Sequence, residues 1–223
     1  MTPLLLLSVA LAQVWENPCK ARPELREEMA AGVVNSAGGI EGPDFVYAVS
    51  SSLLPPSSSA PPVGGEDDTE RYRARDTWSC TYGAPNLLDR DPSTAWVEGE
   101  QEVGVGELVV VEMKVDQPVE IWAGYGKSAY LHAANARPRE VEVSILAGGE
   151  WIAADPGSPW MKNKVIATHT VELRDHNGYQ PLPLPAIPPG VDVSGKTFVV
   201  VTIRSAYAGM QWQDTCISEI RNQ

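Results

Sequence analysis

From about Asp76 to its last residue, the chain is a succession of short segments with apolar side chains at every second position or in β-branched runs, each closed by turn residues. Val141, Val143 and Ile145 alternate with Glu142 and Ser144 and stop at Gly148-Gly149, a period of two that an extended strand satisfies. Residues 107–115 run through Leu108, Val109, Val110, Val111, Met113 and Val115, and Val119 and Ile121 precede a Gly124-Tyr125-Gly126 turn. Residues 165–173, 197–203 and 216–220 are further β-branched segments. Proline cannot donate to a ladder, so Pro181-Leu182-Pro183-Leu184-Pro185 reads as an extended loop or sheet edge. Helical periodicity is absent after residue 43. Seven or eight short strands without helical crossovers predict an all-β fold, an antiparallel β-sandwich or jelly roll. The 19 Gly and 19 Pro among 223 residues supply its turns.

The first third reads differently. Residues 1–12 are uncharged, carry Leu4 to Leu7, Val9 and Leu11, and end in Ala10-Leu11-Ala12, the pattern of a secretory signal peptide. No later run approaches the roughly 20 apolar residues of a membrane span. Residues 13–43 form an N-terminal extension with a short helix: Pro23 suits a first position, Glu24, Glu27 and Glu28 load the first turns, Leu25 and Met29 share a face, and Gly32 can stop it. Residues 44–75 read as a first strand at 45–49 followed by a Ser/Pro-rich linker or insertion that ends near the acidic Glu66-Asp67-Asp68. The sandwich then occupies 76–223. Acidic residues outnumber basic ones by 29 to 17, a net charge of −12 that argues against nucleic acid or anionic lipid as the main partner. The expected protein is exported and soluble, secreted or periplasmic.

Enzyme signatures are missing. His132, His169 and His176 are scattered, no His-Glu-x-x-His or Gly-x-Ser-x-Gly pattern occurs, and Gly104-Val105-Gly106 lacks the third glycine of a nucleotide fingerprint. The expectation is a non-enzyme. One segment, residues 86–99, concentrates short oxygen-bearing side chains. Asp89, Asp91 and Thr94, spaced at 0, +2 and +5, suit a hard cation such as calcium, or an Asx turn with no ion at all. Lys127 and Arg137 flank a loop holding Tyr125, Tyr130 and Asn135, readable as a polar clamp with Arg137 on loop carbonyls or as a sugar contact beside a stacking Tyr. Trp122, Trp151, Trp160, Tyr179, Tyr207 and Trp212 also fall in or beside turns, either as a binding surface or as half-buried sandwich residues. Trp96, at a strand start, reads as core.

Asn86-Leu87-Leu88-Asp89-x-Asp91-Pro92-Ser93-Thr94-Ala95-Trp96-Val97-Glu98-Gly99, with Gly104-x-Gly106-Glu107, resembles the opening of discoidin-like (coagulation factor 5/8 type C-like) domains, which are galactose-binding-like jelly rolls. Further landmarks are Gly124-Tyr125-Gly126-Lys127-Ser128, Asn135-Ala136-Arg137-Pro138, Asp175 with Gly178 and Gln180, Tyr207-Ala208-Gly209, and residues 214–220. Their order resembles the domain attached to bacterial NAD glycohydrolases, their translocation or glycan-binding module. The resemblance covers 76–223, or 44–223 if residues 54–75 are an insertion.

It implies a non-catalytic module for carbohydrate or a cell-envelope surface, with Tyr125, Lys127, Tyr130, Asn135, Arg137 and Trp212 as candidate ligand residues. It also implies a structural calcium held by Asp89, Asp91, Thr94 and Glu219, partly through main-chain oxygens, and a Cys80–Cys216 disulfide between first and last strands. Arg90 departs from the glycine that relatives usually carry, which sets strain against the ion if that position needs positive φ. A Cys19–Cys80 pair, leaving Cys216 buried and free, competes with the first pairing. The alternatives are a structural or protein-interaction domain anchored through residues 13–75 and, beyond it, an undetected hydrolase.

Overall fold

The structure is a computed structural model and describes residues 19–37, 46–62, 69–152 and 160–223. The expected signal peptide, Phe45 and the Glu66-Asp67-Asp68 cluster lie outside the described residues. In chain order the elements are α1 (Leu25–Ala30), β1 (Val33–Ala37), β2 (Tyr47–Val49), α2 (Thr69–Ser79), β3 (Trp96–Val97), β4 (Leu108–Glu112), β5 (Val119–Ala123), α3 (Ala129–Ala134), β6 (Arg137–Ile152), β7 (Trp160–Glu172), β8 (Gln180–Pro181), β9 (Thr197–Tyr207) and β10 (Cys216–Asn222). They build two antiparallel sheets, one ordered β1-β7-β6-β9-β4-β2 and one ordered β3-β10-β5-β8. The all-β sandwich expected from the strand periodicity is the fold.

Between the sheets, Val109, Val111, Val141, Val143, Ile145, Val199, Val201 and Ile203 meet Trp96, Ile121, Ile217 and Ile220. The Trp96 indole is fully buried and donates to the Ser51 carbonyl at 2.8 Å. The larger sheet is covered on its other side as well. Leu25 of α1 packs there with Val34, Ala48, Leu108, Val110, Leu146, Phe198 and Val200. Burial on both faces explains why β4 and β9 read as continuous apolar runs, as strands covered on both sides do. Burying the Leu25 side chain is worth about 1.5–3 kcal/mol, which holds a helix too short to persist alone.

The amino-terminal segment is tied into this frame. The Arg22 amide donates to the Val49 carbonyl at 2.8 Å, and its guanidinium reaches the Asn35 carbonyl at 2.9 Å. The helix expected at Leu25 forms, with Glu27 and Glu28 in its first turn, and Gly32 at φ +75 turns the chain into β1. β8 is only two residues long and sits at the edge of the smaller sheet, where Pro181 costs no ladder bond.

Two findings correct the sequence reading. Helices do occur after residue 43. α2 carries charge around most of its circumference and buries only Ser79, so no apolar stripe betrayed it, and α3 is a short helix capped by the Ser128 hydroxyl, which accepts from the Leu131 amide. The Cys80–Cys216 bridge implied by the resemblance is absent. Cys80, just after α2, pairs with Cys19 across a Cα–Cα distance of 5.2 Å. Cys216 is free and buried against Ala95 and Val97, and burial pushes its thiol far up. Among the described residues no helix is long and apolar enough to cross a membrane.

Candidate functional site

The acidic turn is held by its own side chains. The Asp91 amide donates to Asp89 Oδ1 at 2.8 Å, the Ser93 amide to Asp91 Oδ1 at 2.9 Å, and Thr94 Oγ1 to Asp89 Oδ2 at 2.7 Å and to the Asp91 carbonyl at 2.9 Å. This is Asx-turn chemistry. Ser218 of β10 donates its hydroxyl to the Pro92 carbonyl at 3.1 Å and accepts from the Gly126 amide at 2.9 Å, so the turn is tied to the last strand.

Directly beneath lies Glu219. It is 1% exposed, and neither carboxylate oxygen has a hydrogen-bond partner. Burial, with the charge of Asp89 added, pushes its carboxyl up to about 7, against the opposing effect of the Arg90 amide and of the Arg221 and Arg90 charges. Arg90 has φ +64, so the position does require the left-handed backbone. Asp89 therefore stands beside both Thr94 and Glu219. The Asp91 carboxylate turns outward, held low by its bonds to Ser93, and contributes only its carbonyl to the Thr94 side. Among the described residues no three His, Cys, Asp or Glu side chains cluster as a metal site. An open hollow of about 800 Å³ adjoins the turn, lined among others by Leu88, Arg90, Tyr179, Glu219 and Arg221.

The other candidates gather at the ends of β5, β6 and β9. Arg137 donates to Asp175 Oδ1 at 2.6 Å and makes a second bond to Oδ2, while its third nitrogen reaches the carbonyls of Asn135 at 3.2 Å and Ala208 at 3.1 Å. It also lies over the Tyr207 ring, whose hydroxyl donates to the Leu173 carbonyl. All three guanidinium nitrogens are engaged, which is the clamp geometry, and Arg137 holds the Asp175 carboxyl low. Asn135 is buried and donates to the Leu131 carbonyl at 2.9 Å. Tyr125 packs half-buried against Ala95, Val97 and Cys216. His132 is buried beside Arg137, and burial, with that cation added, lowers its pKa.

Tyr130, Lys127 and Trp212 remain accessible, and the structure adds Met210, which sequence reasoning missed. Tyr130 is 59%, Met210 74% and Trp212 38% exposed. Tyr130 belongs to α3, and the loop of Met210 and Trp212 is docked on that helix. The amides of Met210, Gln211 and Trp212 donate to the Ala133 and Ala134 carbonyls at 2.9–3.0 Å, satisfying the free end of α3, and Tyr130 donates its hydroxyl to Gln211 Oε1 at 2.6 Å. A Cβ at Gly209 would lie 2.1 Å from the Trp212 carbonyl oxygen, so only glycine fits. Met210 is a lone apolar residue between Gly209 and Gln211, a local pattern without a signal of exposure.

Trp122 donates to Asn177 Oδ1 and meets Tyr179 edge to face at 5.0 Å. The side chains of Trp151 and Trp160 are not among those described. Two buried acids were not singled out from the sequence as a site. Glu98 is fully buried, accepts from the Glu100 amide at 2.7 Å, and is pushed up to about 7 by burial, with Asp214 and Glu107 adding to the rise. Glu107 accepts from Ser50 Oγ at 2.6 Å and pairs with Arg26.

Comparison with known proteins places residues 69–223 in a match to the NAD glycohydrolase translocation F5/8 type C domain. Similar solved structures include the arabinofuranosyltransferase AftD from Mycobacteria, at 20% identity, 84% of this chain, 10% of that one and a TM-score of 0.40. Another is the F5/8 type C domain of a Bacteroides fragilis protein, at 16% identity, 84% of this chain, 98% of that one and a TM-score of 0.40. A third is a GH29 fucosidase from Ruminococcus gnavus in complex with fucose, at 12% identity, 86% of this chain, 26% of that one and a TM-score of 0.33. The chain thus spans a tenth of the transferase's length. No curated protein matches it.

Proposed function

The chain belongs to the family of NAD glycohydrolase translocation F5/8 type C domains, and from that premise we propose that it is a non-catalytic module that binds carbohydrate on a cell surface, outside the cell. One observation carries the reading. Met210 and Trp212 stand exposed on a loop docked against α3, beside the exposed Tyr130 of that helix, which bonds Gln211. Two aromatic faces on a pre-ordered support suit the C–H face of a sugar, and the neighbouring amide and Lys127 supply polar contacts. Arg137, Asn135 and Tyr125 act behind this surface by fixing the loops. The Cys19–Cys80 disulfide supports an oxidising compartment. The amino-terminal segment, the other place where a partner was expected, commits Leu25 to the sandwich itself.

A structural calcium fits the acidic turn on one ground: the buried carboxylate oxygens of Glu219, which feel the charge of Asp89, have no hydrogen-bond partner. Glu219, Asp89 and Thr94 would hold the ion, with the Asp91 carbonyl and other main-chain oxygens completing a hard-cation shell. The ion would fix the turn to β10. A glycan array with the wild-type chain and with Trp212→Ala and Tyr130→Ala tests the main reading. The expected result is a set of bound glycans lost in both variants; binding undiminished in both would move the site elsewhere, and an empty array would favour the protein-interaction reading.

A further inference from the structure

We propose that His132 is a pH gate on the exposed Tyr130–Trp212 surface: its neutral ring pins α3 to the sandwich, and its protonation releases the helix together with the loop docked on it. The consequence for carbohydrate rests on the reading of that surface given above; the release itself does not. Of the six residues of α3 only His132 and Ala134 are buried, so the imidazole is the one large side chain that fastens the helix. A helix of that length does not persist alone. What it carries is the binding surface. Tyr130 belongs to it, and its Ala133 and Ala134 carbonyls accept from the amides of Met210, Gln211 and Trp212 at 2.9–3.0 Å. An ionisable ring thus stands where an apolar anchor would be insensitive to pH.

The site of the ring is unsuited to a cation. His132 is 7% exposed and its Nε2 is buried without a hydrogen-bond partner, so an imidazolium there keeps one N–H unsatisfied. The ring presses on the backbone of Gly124, just past β5, where an added Cβ would lie 2.7 Å from Cδ2, 2.9 Å from Nε2 and 3.3 Å from the Arg137 Cβ. Arg137 of β6 sets a like charge beside it. Asp175, in the loop after β7, would favour the cation, but both its oxygens are already held by Arg137. The backbones of Ala123 and His176 also favour the cation, and burial outweighs them. The His176 side chain is exposed, as is Tyr130, and Ala123, Gly124 and the 209–212 loop bring no charge. Burial, with the Arg137 charge added, holds His132 below its ordinary 6.5. The docking is therefore complete above about pH 6.5 and is lost as pH falls below it.

The test follows hydrogen exchange of the Met210, Gln211 and Trp212 amides, corrected for the intrinsic rate at each pH, and titrates the histidine rings by NMR. Wild type is compared with His132→Gln and, as a control at the exposed neighbour, His176→Gln. The affinity for glycans bound on the array is measured at pH 7.5 and at pH 5. Local amides are read because Glu98 and Glu219 move global stability in the opposite sense. From pH 7.5 to 5, loop protection and glycan affinity should each fall about tenfold in wild type and in His176→Gln, equivalent to about 1.4 kcal/mol. Neither should change in His132→Gln. If that variant leaves the loop open at both values, the wild-type ring decides: its titration must track the loss of protection. A His132 ring that titrates at 6.5 or above, unchanged loop protection in wild type, or a glycan bound equally well at both values overturns the gate. A loop that opens in acid with no glycan bound at either value supports the release and removes the carbohydrate reading.

Discussion

Arg26 of the amino-terminal helix reaches across to Glu107 of the sandwich and pairs with its buried carboxylate at 2.5 Å. Ser50, just after β2, completes the arrangement by donating to the second carboxylate oxygen at 2.6 Å. An element outside the two-sheet frame thus neutralises a charge inside it. Removing Arg26 leaves a carboxylate that is 1% exposed without its cation. Arg26→Ala should cost about 1–3 kcal/mol in urea unfolding, the lower part of the range for buried charge pairs because Arg26 itself is partly solvated. Equal midpoints for the variant and wild type would show that Ser50 alone suffices.

Stability should fall as pH rises through neutrality. Burial raises the Glu98 carboxyl from its ordinary 4.5 to about 7, and Glu219 is raised likewise. A raised folded-state value means that the folded chain binds the proton more tightly than the unfolded one. The associated stability is complete below about pH 4.5 and disappears as pH climbs past 7, on the order of a few kcal/mol. Urea midpoints between pH 5 and 8 should decline in wild type, and Glu98→Gln should remove part of that slope. A flat wild-type profile contradicts the assignment.

The disulfide makes a distinct forecast. Cys19 and Cys80 are 61 residues apart, and closing such a loop is worth about 4 kcal/mol in the chain-entropy account. Reduction should lower the melting temperature substantially and expose the α1 segment to protease before the sandwich. Cys216, buried with its thiol pushed up, should resist alkylation in the native protein and react only on unfolding. Rapid labelling of Cys216 in the oxidised, folded chain would count against the burial described.

Gly209→Ala should separate the loop from the core. The added Cβ meets the Trp212 carbonyl oxygen at 2.1 Å and the Ala134 carbonyl oxygen at 2.5 Å, both backbone atoms that cannot yield cheaply. The segment carrying Met210 and Trp212 should detach from α3, with glycan binding lost and Trp212 fluorescence shifted. The unfolding free energy from urea titration should fall by no more than about 3 kcal/mol, because the buried strands are untouched. Retention of the loop amide bonds to Ala133 and Ala134, read by hydrogen exchange, refutes this.

Much of the frame was readable along the chain because burial writes itself as periodicity. The Val141-Val143-Ile145 alternation is β6, the Val199–Ile203 stretch lies within β9, and the proline-rich segment holds only a two-residue edge strand. α2 was unreadable because its charged side chains face water on nearly every side, leaving no stripe to detect. The disulfide was misassigned because the resemblance points to strands that meet, whereas Cys80 ends a helix that the strand pattern omits.

The sequence by itself determined that this chain folds as two antiparallel layers and that residues 86–99 form an acidic turn. Alternation and turn chemistry are local, and neighbouring residues express them wherever they fold. Tertiary structure alone decided which oxygens and rings are accessible. Packing β10 beneath the turn seals Glu219 while Asp91 faces water, and docking the 209–212 loop on α3 exposes Tyr130 and Met210 while Tyr125 is half-buried. Burial of a side chain is set by segments far away in sequence, so residues of one kind a few positions apart meet opposite environments.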